Sequence, residues 1–481
     1  MTNLSGAQLN SGAADGPQGD GRDSPSRFPE YPAYKDSGVE WLGEVPEHWS
    51  VLPVKWVGWL KGGAGFPHDK QGVDSYELDF HKVNALASAD SDGVLRTSEN
   101  TITRETAKEL GAYIFPKGTI VFAKVGAALL LGRLRTISAE ACLDNNMMGL
   151  IVFPGRASNQ YALYSMGTVR FDLIANPGAV PSLNEGQIGN YRLAFPGLPE
   201  QTQIARFLDH ETARIDALIE EQQRLIELLK EKRQAVISHA VTKGLDSTVP
   251  MKDSGEVWLG KLPAHWVKKR LKNISPSITV GIVVNPSGYV ADEGLPFLYG
   301  GEVKEGFIEV DKARKISPGD SKKNRKTVLE TGDIVTMRVG YPGLTAVVPP
   351  ECEGGNCASV MLVKRGKYDS HWLCAVMNSR LVRQQVELVQ YGAAQKQFNI
   401  SDAIEFWMFE PPRAEQTIIA EFIDRQSSVF NALMEESERS MQLLQERRSA
   451  LISAAVTGKI DVRGWQPPVG AQTHELVQKA G

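Results

Sequence analysis

No group of residues in this chain has the types and spacing of a catalytic centre. A phosphate cradle of the form Gly-x-x-x-x-Gly-Lys-Ser/Thr is absent, and Gly63-Ala64-Gly65 runs straight into Phe66-Pro67, unlike a dinucleotide turn. There is no Asn-Pro-Pro-Phe/Tyr of the kind amino-methyltransferases use, and no Gly-x-Ser-x-Gly. No Pro-Asp precedes an acidic-x-Lys, so Glu302-Val303-Lys304 stands alone and reads as a solvated turn. Cys352 and Cys357 lie close in sequence, but no second Cys or His pair accompanies them, and the eight histidines are scattered. The residues predict neither a catalytic nor a metal site.

The chemistry on offer is contact with a polyanion. Lys322, Lys323, Arg325 and Lys326 form a tight cluster, read either as a phosphate-neutralising patch or as an ordinary soluble loop. Arg133, Arg135, Gln395, Lys396 and Gln397 include the types that read base edges, since Arg pairs with guanine and Gln with adenine in bidentate geometry, although the same types are common on any protein surface. Lys124 and Arg338 each precede a Val-Gly at the end of a β-branched run, 117–126 and 331–340. That places both at the end of a buried strand, where glycine lets the backbone approach a ligand.

The elements that must position these residues are repeated. Residues 198–246 recur at an offset of 215 as residues 413–461: Glu200-Gln201-Thr202 as Glu415-Gln416-Thr417, Phe207 as Phe422, Ala240-Val241-Thr242 as Ala455-Val456-Thr457. Apolar residues at alternating steps of three and four make each copy a helix. At some forty residues each rod is roughly 60 Å long. The period puts Leu218, Leu225, Leu229 and Val236 on the stripe of the first helix and Leu433, Leu444 and Leu451 on that of the second, each stripe facing the other. A second repeat precedes each head: Trp41-Leu42-Gly43 with Pro46-Glu47-His48-Trp49 returns as Trp258-Leu259-Gly260 with Pro263-Ala264-His265-Trp266. These tryptophans read as packing anchors rather than ligand contacts.

Between segment and helix lie two regions that differ from one another, with short β-branched runs broken by Gly and Pro and helical stretches at 158–173 and 370–390. The fold class expected is α+β: two globular mixed α/β domains separated by two long antiparallel coiled-coil helices in a pseudo-two-fold, circular order. The expected boundaries are a disordered tail to residue 30, a first head at 31–197, a helix at 198–246, a second head at 247–411, a helix at 412–461 and a polar tail from 462. With 481 residues, a net charge of −4 and four cysteines, the chain reads as a cytoplasmic protein with reduced thiols and no membrane span. The charge argues against a protein that coats nucleic acid by bulk electrostatics.

The doubled helix opening on Leu-Pro-Glu-Gln-Thr-Gln-Ile-Ala and Arg-Ala-Glu-Gln-Thr-Ile-Ile-Ala, the Trp-Leu-Gly…Pro-x-His-Trp segments, and the head-helix-head-helix order together resemble the specificity subunit of a Type I restriction-modification enzyme. The likeness runs from about Tyr31 to Asp461. Gly332-Asp333-Ile334-Val335…Arg338-Val339-Gly340 fits that family's recognition-domain pattern, whereas the first head has Thr119 for the Asp and Lys124 for the Arg. The resemblance implies target recognition domains that each read half of a gapped, asymmetric duplex DNA site. It implies helices that set the gap and dock two modification subunits, with ATP-dependent restriction subunits joining them. This chain would be non-catalytic and hold no cofactor, the partner subunits using S-adenosylmethionine, ATP and Mg. Two other readings stand beside this one: a coiled-coil adaptor with two interaction domains and no nucleic acid, and a stand-alone DNA-modifying enzyme.

Overall fold

The computed structural model describes residues 28–90, 92–255, 259–393 and 395–468. They form two compact units. The first is built from the described residues up to Glu220 and from Met441 onward, the second from Glu221–Ser440. The long helices, Leu198–Lys243 and Arg413–Val456, are therefore each shared between the units, and the repeated segment's Trp258 lies outside the described residues.

In the first unit, strands Gly58–Gly62, Met147–Val152, Ile120–Ala123 and Arg135–Ile137 pair antiparallel in that order, with Val94–Leu95 parallel at the edge. In the second, Ile278–Val280, Met361–Val363, Ile334–Thr336 and Thr345–Val347 pair antiparallel in the corresponding order. Each head adds a small sheet with one parallel pair, Leu78–His81 with Ala141–Leu143 in the first and Leu295–Leu298 with Asn356–Cys357 in the second. The runs Ile120–Ala123 and Ile334–Thr336 are buried at every position, which is why they carry continuous apolar or β-branched residues. Two heads with little sequence in common thus share one sheet plan. The helical stretches are broken in two, at Gly167 in the first head and at Ser379 in the second.

The repeated Glu-Gln pair has a physical reason. Glu200 accepts hydrogen bonds from the Tyr31 hydroxyl (2.7 Å) and the Trp49 indole (3.0 Å), and bonds His48 Nε2 at 2.8 Å. Glu415 bonds Trp266 (3.0 Å) and His265 (2.7 Å) in the second unit. The next residue reaches the head: Gln201 Oε1 accepts from the Ser158 amide and Gln416 Oε1 from the Asp369 amide, each at 2.8 Å. Ser158 and Asp369 are the N-caps of helices Asn159–Met166 and Ser370–Asn378. Two consecutive side chains thereby fasten helix, Trp segment and head together. Trp49 and Trp266 are fully buried; Trp41 is half-exposed and stacks on Tyr191.

Within each unit the helix halves run antiparallel and meet through the same repeat positions. Arg448 Nε donates to Asp216 at 2.8 Å in the first unit, and Arg233 Nη1 donates to Asn431 at 2.9 Å in the second. Asp216 is the repeat counterpart of Asn431, and Arg233 that of Arg448. Ile204, Leu208, Ile215 and Leu451 join the first core, with Ile219 and Leu444 packed on it; Ile237, Ile419 and Ile423 join the second.

Three expected interface residues lie off this seam. Leu218, Leu225 and Leu433 are 38%, 42% and 48% exposed. From Ile215 the buried strip steps four residues to Ile219 and on to Ile226, because 3.6 residues per turn drift against a 3.5-residue pattern and a two-helix seam is narrow. Leu229, Val236 and Leu444 are half-buried and Leu451 is buried. The tails also differ from expectation. Phe28 packs edge-on against Phe207, Val462 is buried, and Trp465 meets Phe207 edge-on and His210 at a tilt while its carbonyl accepts from Gln203. An apolar helix face near Phe207 holds both ends of the described chain, which residue composition alone did not reveal. Residues 1–27 and 469–481 of the expected tails lie outside the described residues.

Candidate nucleic-acid interface

The two faint sequence echoes, a basic residue before Val-Gly and a Leu/Phe-Asn further on, form one site in each head. In the second head the Arg338 carbonyl accepts from the Phe398 amide (3.3 Å), Val339 bridges Gln397, and the Gly340 amide donates to Lys396 O (3.0 Å). In the first, the Lys124 carbonyl accepts from the Leu183 amide (2.8 Å), Val125 bridges Ser182, and the Gly126 amide donates to Pro181 O (2.8 Å). The partner segment is in both cases the returning arm of a hairpin, closed by Tyr391 against Gln397 and by Asn176 against Ser182. Gly126 (φ 78°) and Gly340 (φ 90°) occupy the left-handed region, and nothing crowds Gly126. Glycine is needed for the turn rather than for close approach.

The frame is shared and the side chains differ. Gln395 and Lys396 are exposed and Gln397 half-buried beside Arg338, whereas the first head places Val180, Pro181 and Ser182 there. Lys124 Nζ stands near Gly62 and Glu185. Arg133 is exposed, and Arg135 lies on the strand next to Ile120–Ala123 with its Nη1 on the Leu134 carbonyl. Burial, and then the Arg133 guanidinium, lower the Arg135 pKa. The Nε atoms of Arg135 and Arg338 are buried without a hydrogen-bond partner. Among the described residues, Lys124, Arg133, Arg135, Arg338 and Lys396 have no carboxylate within ion-pair distance, although both heads hold many paired arginines and lysines. On the shared frame Lys124, with Glu185 nearby, and Arg338 and Lys396 make no ion pair among the described residues, and positive charge so placed suits an anionic ligand.

Lys322, Lys323, Arg325 and Lys326 are all exposed, at the end of helix Pro318–Lys323 and in the turn after it. Lys323 pairs with Asp320 at 2.8 Å, and no hydrogen bond, ion pair or bridge among the described residues joins this cluster to Arg338. The structure thus gathers Arg338 with Gln395, Lys396 and Gln397, and leaves the lysine cluster apart.

Asp333, part of the strand motif, has a structural role. Fully buried, it accepts from Lys364 Nζ (2.6 Å), the Arg365 amide (2.8 Å) and the Glu330 amide (2.9 Å). In the first head Thr119 closes the equivalent turn by donating to Pro116 O. The four cysteines are buried and free; burial pushes the thiols up to about 11 at Cys142 and Cys352 and to about 12 at Cys357 and Cys374, which keeps them unreactive. Among the described residues no group of His, Cys, Asp and Glu is arranged to hold a metal, and no helix is long and apolar enough to cross a membrane.

Residues 60–229 match the family model of the type I restriction modification DNA specificity domain. Over 434 residues the chain is 21% identical to the MjaIX specificity subunit of a type I restriction enzyme from Methanocaldococcus jannaschii, covering 88% of this chain and 95% of that protein. It is 22% identical over 308 residues to the EcoKI specificity subunit of Escherichia coli, 62% of either protein. A solved structure described as the basis of complex assembly and conformational transition in the type I R-M system superposes with a TM-score of 0.60 at 16% identity, covering 86% of this chain and 98% of that one. At that identity the likeness speaks for the fold: mixed α/β domains with long coiled-coil helices.

Proposed function

We propose that the chain is a specificity subunit of a type I restriction-modification enzyme, and that it works as follows. Each head reads one half of a gapped, asymmetric duplex DNA site, and the long helices set the gap and dock two modification subunits. The chain is non-catalytic: S-adenosylmethionine, ATP and Mg belong to the modification and restriction subunits that join it. The observation that carries this reading is the shared clasp at Lys124 and Arg338. One backbone frame presents Arg338, Gln395 and Lys396 in one head and Lys124, Val180 and Ser182 in the other. A constant frame with different side chains is what two different half-sites require, since phosphate contacts position and base contacts specify. The docking of two copies of one partner is supported by exposed leucines at matched repeat positions, Leu218 with Leu433 and Leu228 with Leu443.

Methylome sequencing of the host against a strain lacking this chain tests the proposal. A bipartite adenine-methylated motif should vanish with the chain; an unchanged methylome overturns it.

A further inference from the structure

The same corner of each head carries exposed apolar side chains that neither packing nor base reading explains. In the first head, Leu173 lies on the short helix Phe171–Ile174, three residues before the hairpin opens at Asn176. In the second, Leu388 lies on helix Arg380–Val389, three residues before Tyr391. The two leucines are 215 residues apart, the offset of the repeat, and are 73% and 86% exposed. Their seats correspond as well. The loop after Lys124-Val125-Gly126 lays Gly132 against Phe171, and the loop after Arg338-Val339-Gly340 lays Gly343 against Val386. Phe171 and Val386 are again repeat counterparts, each two residues before the exposed leucine.

Resting on the DNA-reading proposal above, we propose that Leu173 and Leu388 are wedges, each pressed into a base step of its own half-site. Each lies three residues before the hairpin that pairs with the strand end at Lys124 or Arg338, cations that make no ion pair among the described residues, and although Asp172 and Glu387 adjoin the leucines, that charge favours an anionic occupant. The side-chain types at the hairpins differ between heads, as reading different sequences demands, but the leucine is the same in both. Its target is therefore a feature that any half-site offers. An apolar side chain satisfies no phosphate, and an apolar contact to a thymine methyl would depend on sequence. The faces of stacked bases are apolar, sequence-independent and reached by leucine in proteins that kink DNA.

The test uses the full chain and a duplex selected on it from a random-sequence pool, with 2-aminopurine scanned through both half-sites. Binding of the wild type should raise fluorescence at one step in each half. Leu388→Ser and Leu173→Ser should each abolish the rise in one half only, and weaken binding about tenfold, with the base preference at other positions kept. Both side chains are largely in solvent, so neither substitution threatens the fold. A duplex that stays stacked under the wild type, or variants that bind and unstack as the wild type does, overturns the wedge. So does a defect confined to assembly with the host's modification subunits, which would make this face a protein contact. A wild-type chain that selects no sequence from the pool defeats the DNA-reading proposal itself, a result distinct from the others.

Discussion

The Trp49 indole donates to Glu200 at 3.0 Å, binding a tryptophan at the start of the chain to the first turn of a helix 151 residues later. Trp266 and Glu415 repeat the bond at the same length. Glu200 also holds Tyr31, whose hydroxyl pKa is driven far above its ordinary range by burial and then by this carboxylate. Replacing Glu200 by Ala leaves two buried donors without an acceptor, and the cost should be about 2–3 kcal/mol. Glu200→Gln keeps one acceptor oxygen and should cost less. Denaturant unfolding read by tryptophan fluorescence checks the order; equal stability of Glu200→Ala and the wild type would show that the clamp is decorative.

Leu451→Ala removes a buried side chain and should cost on the order of 2–5 kcal/mol, whereas Leu218→Ala should stay within about 0.5 kcal/mol. The pair separates the seam seen here from the stripe read off the sequence. If Leu218→Ala lowered the melting temperature as much as Leu451→Ala, the seam would have been placed one residue wrong.

Asp369 accepts from the His371 and Trp372 amides and from Arg413 at 2.7 Å. Burial raises its pKa, but the Arg413 and Trp372 bonds outweigh it and the net shift is downward. A folded pKa below the unfolded one contributes stability that is intact above the ordinary carboxylate range and lost as pH falls through the folded value. Arg413 is half in solvent, so Asp369→Asn should cost only about 1 kcal/mol at neutral pH. That gap between variant and wild type should close below about pH 4, the range in which an ordinary carboxylate protonates. A gap independent of pH would assign the effect to the neutral cap alone.

Arg338→Ala should weaken binding to a cognate duplex by about 1–3 kcal/mol and relax one half-site if the guanidinium reaches a base. A uniform loss on all sequences would make Arg338 a phosphate contact. Undiminished binding everywhere would leave it a structural residue whose Nε is merely buried.

The first unit's core includes Leu451, Ala455 and Val456 from the second helix and Ile460 just beyond it, so a fragment ending at Asp246 lacks part of its own core. Their repeat counterparts Val236, Ala240, Val241 and Leu245 are present in that fragment. Residues 28–246 should therefore associate as an antiparallel homodimer, each copy completing the other, and with modification subunits should mark a palindrome. Sedimentation checks the first claim and methylation mapping the second; a soluble folded monomer would show that the two helix ends are not interchangeable.

The sequence by itself determined the repeat, and with it the two long helices, the mixed heads and the resemblance to a family. Matched residues at a fixed offset are visible without any structure, and steps of three and four fix a helix wherever the neighbours are. Periodicity could not decide which leucines turn inward. Leu218 and Ile219 are adjacent on the helix, and only a packed partner selects between them. The sequence also showed that Glu200-Gln201 recurs, but its partners Trp49 and Ser158 lie 151 and 43 residues away. The clasp at Arg338 is likewise a tertiary product, in which residues 338–340 and 396–398 become one strand pair only after the hairpin folds back. Local chemistry sets which residues are able to bond, whereas chain closure over dozens of residues sets which of them meet. The shared sheet plan of two heads with little sequence in common has the same origin, since burial on both faces constrains apolar pattern and not residue identity.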